Sequence, residues 1–185
     1  MKVVGISGSL REGSHNTALL RAAAELLPSG AELELAGIGD LPLYSEDLDT
    51  DPAPAPVARL REQIAAADAI VISTPEYNAS IPGALKNALD WASRPFPEHA
   101  LKHKPVLVIG ASTGLFGAVW AQAEVRKVLN HIGADVIDTE LPIGHAHESV
   151  GDAELTEDTA AAELERQLAM LVTLACDLVA EPAAA

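Results

Sequence analysis

The sequence predicts a doubly wound α/β fold, with five parallel strands in the order 2-1-3-4-5 and helices on both faces of the sheet. Three observations carry that expectation. Short β-branched runs alternate with longer Ala- and Leu-rich helical patterns five times along the chain, as repeated strand–helix units require. Three of the runs, KVVGI (2–6), AIVIST (69–74) and PVLVIGA (105–111), are continuously apolar, as strands covered on both faces must be. These are the first, third and fourth strands, which a 2-1-3-4-5 order places centrally.

Each element follows from its own residues. AELELAG (31–37) alternates apolar with acidic residues and suits an edge strand, and ADVID (134–138) is a weaker fifth strand. NTALLRAAAELL (16–27) predicts the first helix, ended by Pro28 and Gly30. PVARLREQIAAA (56–67) and PGALKNALDWASR (82–94) open with proline, tolerated in a first turn because its missing N–H would have no intrahelical acceptor. In the second of these, Leu85, Ala88, Leu89 and Ala92 share one face. Residues 117–132 and 157–179 complete five helices, with the acidic stretch 152–165 a solvated helix start. TDPAPAP (50–56) reads as an internal loop, residues 1–181 as a single domain and 182–185 as a frayed tail.

Composition narrows the function. With 185 residues and 49% hydrophobic content the chain can bury a core, and its net charge of −15 repels nucleic acid and anionic membrane surfaces. An anionic ligand must therefore be held by local geometry. Cys176 is the only cysteine, which excludes an intramolecular disulfide and a cysteine metal cluster. MKVVGISGSL lacks the apolar core of a signal peptide, and no apolar run approaches the ~18 residues of a membrane helix, so a cytoplasmic protein is expected.

In an open parallel sheet, ligands bind beyond the carboxyl ends of the strands where the strand order reverses. Three chemically unusual loops leave those ends. SGSLREGSHN (7–16) leads from the first strand into the first helix, whose leading N–H groups have no intrahelical partner. Its glycines permit tight turns, Ser7, Ser9 and Ser14 offer hydroxyls, Arg11 a guanidinium and Asn16 an amide, a set suited to a phosphate monoester. Glycines at 5, 8 and 13 do not form G-x-G-x-x-G, no Gly-Lys-Ser/Thr follows, and Ser9 stands where a nucleophile elbow needs glycine. The plainer reading is that Ser14 caps the helix and Arg11 is solvated. TPEYNASIPG (74–83) is stiffened by Pro75 and Pro82 and presents Tyr77, one of two tyrosines, which suits a flat heterocycle; the alternative is a plain loop capped by Ser80. ASTGLFG (111–117) carries Gly114 and Gly117, which would allow backbone to approach a ring, or would make a flexible connector.

Other residues read more plainly. His145 and His147 have i, i+2 spacing but no evident third ligand, so no metal site is expected. His99 and His103 are expected to be solvated, Cys176 to be a buried small apolar residue, and Asp90 to pair with Arg94 rather than act with Glu76 as an acid–base pair.

The segments GSLREGSHN, PEYNASIPGALKNALDWASRP and the glycine-rich loop before AQAEVRKVL resemble the NADPH-dependent FMN reductase family. These flavodoxin-like proteins include bacterial quinone, chromate and azo-dye reductases. The similarity runs from the first strand to the fourth helix and is weakest after residue 140. It implies that Ser9, Arg11, Ser14, Asn16 and Thr17 bind the FMN phosphate. It implies further that Pro75, Glu76, Tyr77 and Asn78 flank the isoalloxazine, chiefly through backbone groups, and that Ser112, Thr113 and Gly114 close over its other edge. The implied reaction passes hydride from NADPH or NADH through FMN to quinones, azo compounds, chromate or free flavin by a ping-pong mechanism, with no side chain acting as nucleophile or obligatory base. A homodimer or homotetramer is also implied, with Trp91 and Trp120 as interface candidates and a core position the competing reading for Trp91. STGLFGAVWAQ is poorer in glycine and arginine than its counterpart in many relatives, so Leu115 and Phe116 narrow the substrate side in this reading. A flavodoxin-type electron carrier and a flavin-less interaction module are the alternatives. Arg94, Lys102 or Lys104 would serve a nucleotide 2′-phosphate only if the fold brought one of them to the cleft.

Overall fold

In the computed structural model, which describes residues 1–180, the three continuously apolar runs are adjacent strands at the centre of a parallel sheet. They are β1 (Lys2–Ser7), β3 (Ala69–Thr74) and β4 (Pro105–Ala111), with β2 (Glu32–Ala36) on the outer side of β1. The resulting order β2-β1-β3-β4-β5 is the doubly wound, flavodoxin-like order expected from the sequence. Residues 181–185, which include the tail expected over 182–185, lie outside the described residues.

The far edge differs from expectation. β5 (Asp135–Val136) is two residues long, and a further strand, β6 (Pro142–Ile143), pairs with the carboxyl end of the same β4. Between them the chain leaves the sheet because side chains of α4 (Val119–His131) take its hydrogen bonds. Gln122 accepts from the Leu141 N–H and donates to the Leu141 carbonyl, and Arg126 donates to the Thr139 carbonyl.

The period-2 alternation of each strand splits the core in two. Val3, Val71, Leu107 and Ile109 face α1 (His15–Glu25) and α6 (Asp158–Ala180), meeting Leu19, Leu164, Leu168 and Leu171. Val4, Ile70, Ile72 and Val108 face α2 (Ala55–Ala66), α3 (Gly83–Ala92) and α4, meeting Leu60, Ile64, Leu85, Val125 and Leu129. Each such fully buried aliphatic side chain stabilises the fold by roughly 1.5–3 kcal/mol relative to exposure. A short helix, α5 (Ala146–Ser149), connects β6 toward α6.

Several side chains lie elsewhere than expected. Trp91 is fully buried: its Nε1 donates to the Pro42 carbonyl, Tyr44 packs edge-on against it and the Arg61 guanidinium lies over its ring. It is a core residue and not an interface aromatic. Cys176 is exposed, because the buried stripe of α6 runs through Leu168, Leu171 and Ala175 and the next residue turns outward. Asp90 pairs with Lys86 one turn earlier rather than with Arg94, whose guanidinium packs on Tyr44 and donates to its hydroxyl. Pro82, and not Ser80, occupies the N-cap of α3.

His99 is also buried, at 8% exposure, and not solvated. Burial holds its pKa below the usual histidine value, with Lys102 and Arg94 adding to the effect against the Ile132 backbone and Glu98. The native state therefore resists a proton that the unfolded chain accepts below about pH 6.5. His99's contribution is fully present above that value and is lost as pH falls toward its lowered folded-state pKa. Stability measured by urea unfolding is expected to fall between about pH 6.5 and 5 more steeply in the wild type than in His99→Gln. Parallel slopes would remove His99 as a cause.

Candidate active site

The three loops converge as the topology requires. They leave the carboxyl ends of β1, β3 and β4 and together line one open cavity of about 290 Å³. Of the residues expected at the site, Ser9, Arg11, Ser14, Asn16, Pro75, Glu76, Tyr77, Ser112 and Thr113 face it. Thr17, Asn78 and Gly114 do not, while His15 and Ala111, which sequence reasoning did not select, do.

The first loop ends in a capped helix start. Ser14 sits at the N-cap of α1 and its hydroxyl oxygen accepts from the Thr17 N–H at 3.2 Å. Its hydroxyl proton is left free to donate, so the cap and the ligand-binding readings of Ser14 are compatible. The N–H groups of His15 and Asn16, in the first turn, have no intrahelical acceptor and add the helix's partial positive charge. Thr17 uses its N–H on Ser14 and its hydroxyl on Ser7, at 2.9 Å, and so braces the loop. Asn16 does the same at larger scale: its Nδ2 donates to the Ala111 carbonyl and its Oδ1 accepts from the Ala111 N–H and the Ser73 hydroxyl. What Asn16 presents to a ligand is its backbone N–H. Arg11 is exposed and makes no ion pair among the described residues.

The second loop is a tight turn tied to α4. Asn78 and Ala79 both have positive φ, and reciprocal backbone bonds between Tyr77 and Ser80 close a two-residue hairpin around them. Asn78 tolerates the left-handed region, which explains its place in the turn rather than in the cavity. The Glu76 carboxylate accepts from the N–H groups of Trp120 and Ala121, both at 3.1 Å. It supplies the cap that Ala118, at the N-cap of α4, has no side chain to make. The Ser80 hydroxyl donates to Glu124 at 2.6 Å, so the turn is held at both ends by one helix. Tyr77 stands half exposed at the rim.

The third loop is laced to the segment after β6. Ser112 N–H donates to the Ile143 carbonyl, Ala146 N–H to the Ser112 carbonyl and His145 N–H to the Gly114 carbonyl. Leu115, Phe116 and Trp120 project outward, with Phe116 and Trp120 rings 5.0 Å apart. The His145 and His147 rings meet edge to face with centroids 6.4 Å apart, and no group of three or more metal-ligating side chains gathers among the described residues.

Lys102 and Lys104 precede β4 and so lie at the amino end of the sheet, more than the length of that strand from the cavity. Arg94 follows α3, which runs antiparallel to β3, and is at the same end. The fold brings none of the three to the cleft. The donors that do converge (Arg11, two serine hydroxyls and the first-turn N–H groups) match the oxygens of a phosphate monoester, while Pro75–Tyr77 and Ser112–Thr113 form walls on either side. This donor set fits FMN.

The sequence profile of the NADPH-dependent FMN reductase family matches residues 1–148. An NAD(P)H-dependent FMN reductase of Pseudomonas aeruginosa is 44% identical over 173 residues, 92% of this chain and 93% of that protein. A 2-hydroxy-1,4-benzoquinone reductase of a Burkholderia species is 46% identical over 132 residues, 71% of this chain and 72% of that protein. Among solved structures, a flavoenzyme NAD(P)H:(acceptor) oxidoreductase from Paracoccus denitrificans superposes with a TM-score of 0.84 at 37% identity, covering 95% of this chain and 97% of that one. The chain belongs to the NADPH-dependent FMN reductase family: it is an oxidoreductase with FMN as cofactor and NAD(P)H as co-substrate.

Proposed function

We propose that residues 1–181 act as one FMN-binding unit that reduces quinones and similar flat acceptors, azo compounds, chromate and free flavin among them, in a ping-pong cycle. The observation that carries this reading is the convergence of all three loops, with a helix N-terminus, on one open cavity. FMN, when bound, supplies hydride acceptance from NAD(P)H and electron delivery to the acceptor. The chain's own residues bind and orient. Arg11, Ser9, Ser14 and the first-turn N–H groups hold the phosphate against the overall charge of −15. Backbone groups of Pro75–Tyr77 and Ser112–Thr113 are fixed by their bonds to α4 and to the β6 segment, so they act as preorganised dipoles. The open cavity admits NAD(P)H and the acceptor in turn, and Leu115 and Phe116, exposed on the loop after β4, narrow the substrate side. The relative named for 2-hydroxy-1,4-benzoquinone supports a quinone as acceptor. The exposed Phe116–Trp120 pair leaves Trp120 as the interface aromatic of a homodimer or homotetramer, which sedimentation would reveal.

The purified protein is expected to be yellow, and its bound flavin to be bleached in stopped flow by NADPH or NADH. Steady turnover with a quinone and no added reductase separates this reading from a flavodoxin-type carrier. Arg11→Ala is expected to weaken FMN binding about 10- to 100-fold, the loss of a charge-assisted hydrogen bond. A colourless protein that FMN cannot reconstitute would sink the proposal.

A further inference from the structure

Among the described residues His15 is the one histidine that lines the cavity, and it lies between Ser14 and Asn16 in the first turn of α1. It is half buried, beside Arg11 and Ser14 in the lining of the phosphate end. We propose that His15 is a second cationic ligand of the FMN phosphate, taking up a proton as FMN binds, so that cofactor retention weakens as pH rises above neutrality. This rests on the FMN reading of the cavity.

The electrostatics around the ring are one-sided. In the free protein burial, then the Arg11 charge, then His147 all hold the His15 pKa below the usual histidine value. Arg11 acts on it from the same loop, and His147 from α5, which packs on the same side of the sheet as α1. The helix N-terminus adds a third positive contribution. The carboxylates nearby are otherwise engaged: Glu148 contacts His147 at 3.4 Å, and Glu76 accepts from the α4 N–H groups. Glu12, on the same loop, is exposed. Arg11 and the helix N-terminus therefore disfavour the imidazolium of His15 in the free protein, in a chain otherwise strongly acidic. A phosphate dianion reverses the sign of that environment and favours the imidazolium.

The linkage follows from the direction of the change. A group whose pKa is raised by a ligand takes up a proton between its free and bound values. Affinity is then greatest at low pH and falls as pH rises through the bound value. The second ionisation of the phosphate, near pH 6, works the other way, because the dianion binds better than the monoanion. The wild type is therefore expected to bind FMN best at about pH 6–7 and less well on either side. A chain without His15 is expected to show only the rise to a plateau.

The test measures FMN affinity by quenching of flavin fluorescence from about pH 5.5 to 8.5, for reconstituted apoprotein of wild type and His15→Gln, with riboflavin as a probe lacking phosphate. His15→Gln is expected to bind FMN about tenfold more weakly near pH 6 and equally at pH 8.5, and to bind riboflavin as the wild type does. NMR titration of His15 in the wild type, which needs no variant, is expected to show its pKa raised by FMN. Superimposable FMN profiles for the two proteins, or a His15 pKa unmoved by FMN, would overturn the proposal and leave the cofactor assignment standing. Failure of both proteins to bind FMN at any pH would instead overturn the cofactor reading and this proposal with it.

Discussion

Asn16→Leu is expected to destabilise the protein by about 4 kcal/mol and to abolish tight FMN retention. The replacement is close in size, so the effect is one of hydrogen bonding rather than of volume. Asn16 is 3% exposed and its amide is saturated: Nδ2 to the Ala111 carbonyl at 2.9 Å, Oδ1 from the Ala111 N–H at 3.0 Å and from the Ser73 hydroxyl at 2.9 Å. The amide extends β4 by one artificial rung and pins α1 to the ends of β3 and β4. Leucine would leave the Ala111 N–H and carbonyl buried without partners, each at about 1–3 kcal/mol, and the Ser73 hydroxyl besides. Total stability of a domain is only ~5–15 kcal/mol, so the loss is a large share of it. Urea unfolding checks the first effect and FMN titration the second. A change below about 1 kcal/mol would show that the three loops are held together by something else.

Gly117→Ala is expected to be at least as damaging, for a steric reason. Gly117 has φ +55, a region that L residues adopt at a cost of about 1–2 kcal/mol. Its α-carbon also packs against the β6 backbone: an added Cβ would overlap the Pro142 carbonyl carbon and come within 2.5 Å of the Ile143 nitrogen. Neither neighbour can yield without breaking the β4–β6 pairing, because the Ile143 carbonyl accepts from Ser112 and Gln122 holds Leu141. The loop over Ser112 and Thr113 would move with β6. Thermal unfolding is expected at a Tm lower by ten degrees or more, on the scale of about 2–4 °C per kcal/mol for a chain of this size, with weakened FMN binding. Gly114→Ala is the internal control, since a Cβ there would meet nothing nearer than the Ser112 hydroxyl at 3.8 Å. A wild-type Tm for Gly117→Ala would show that β6 is free to shift.

The central sheet was legible because its signal is local. Continuous apolar runs such as those in β3 and β4 have one stable environment, buried on both faces, and alternation with helices leaves few ways to arrange them. The edge was not legible. ADVID is a weak strand signal, with one Ala and two Asp among its five residues, and only Asp135 and Val136 form strand, while Gln122 and Arg126 take the backbone of Leu141 and Thr139 beyond it. The tryptophans show the same limit. Composition could not say which was core, but a carbonyl at Pro42 and the ring of Tyr44 decide it for Trp91, while Trp120 stays half exposed.

The candidate site divides along the same line. Its location and ligand chemistry are written in residues 7–16, 74–83 and 111–117, since strand ends, turn residues and helix starts are short-range properties. What each side chain does there is another matter. Asn16 and Thr17 brace the loop, Asn78 forms a turn, Glu76 caps a helix 44 residues away, and His15 faces the cavity. The sequence by itself determined the sheet order, the converging loops and the class of ligand, all of which follow from periodicity and local turn chemistry. Only the tertiary structure decided which polar groups are consumed in holding the loops together and which are left for a ligand, because hydrogen-bond partners distant in sequence are set by packing and by no local pattern.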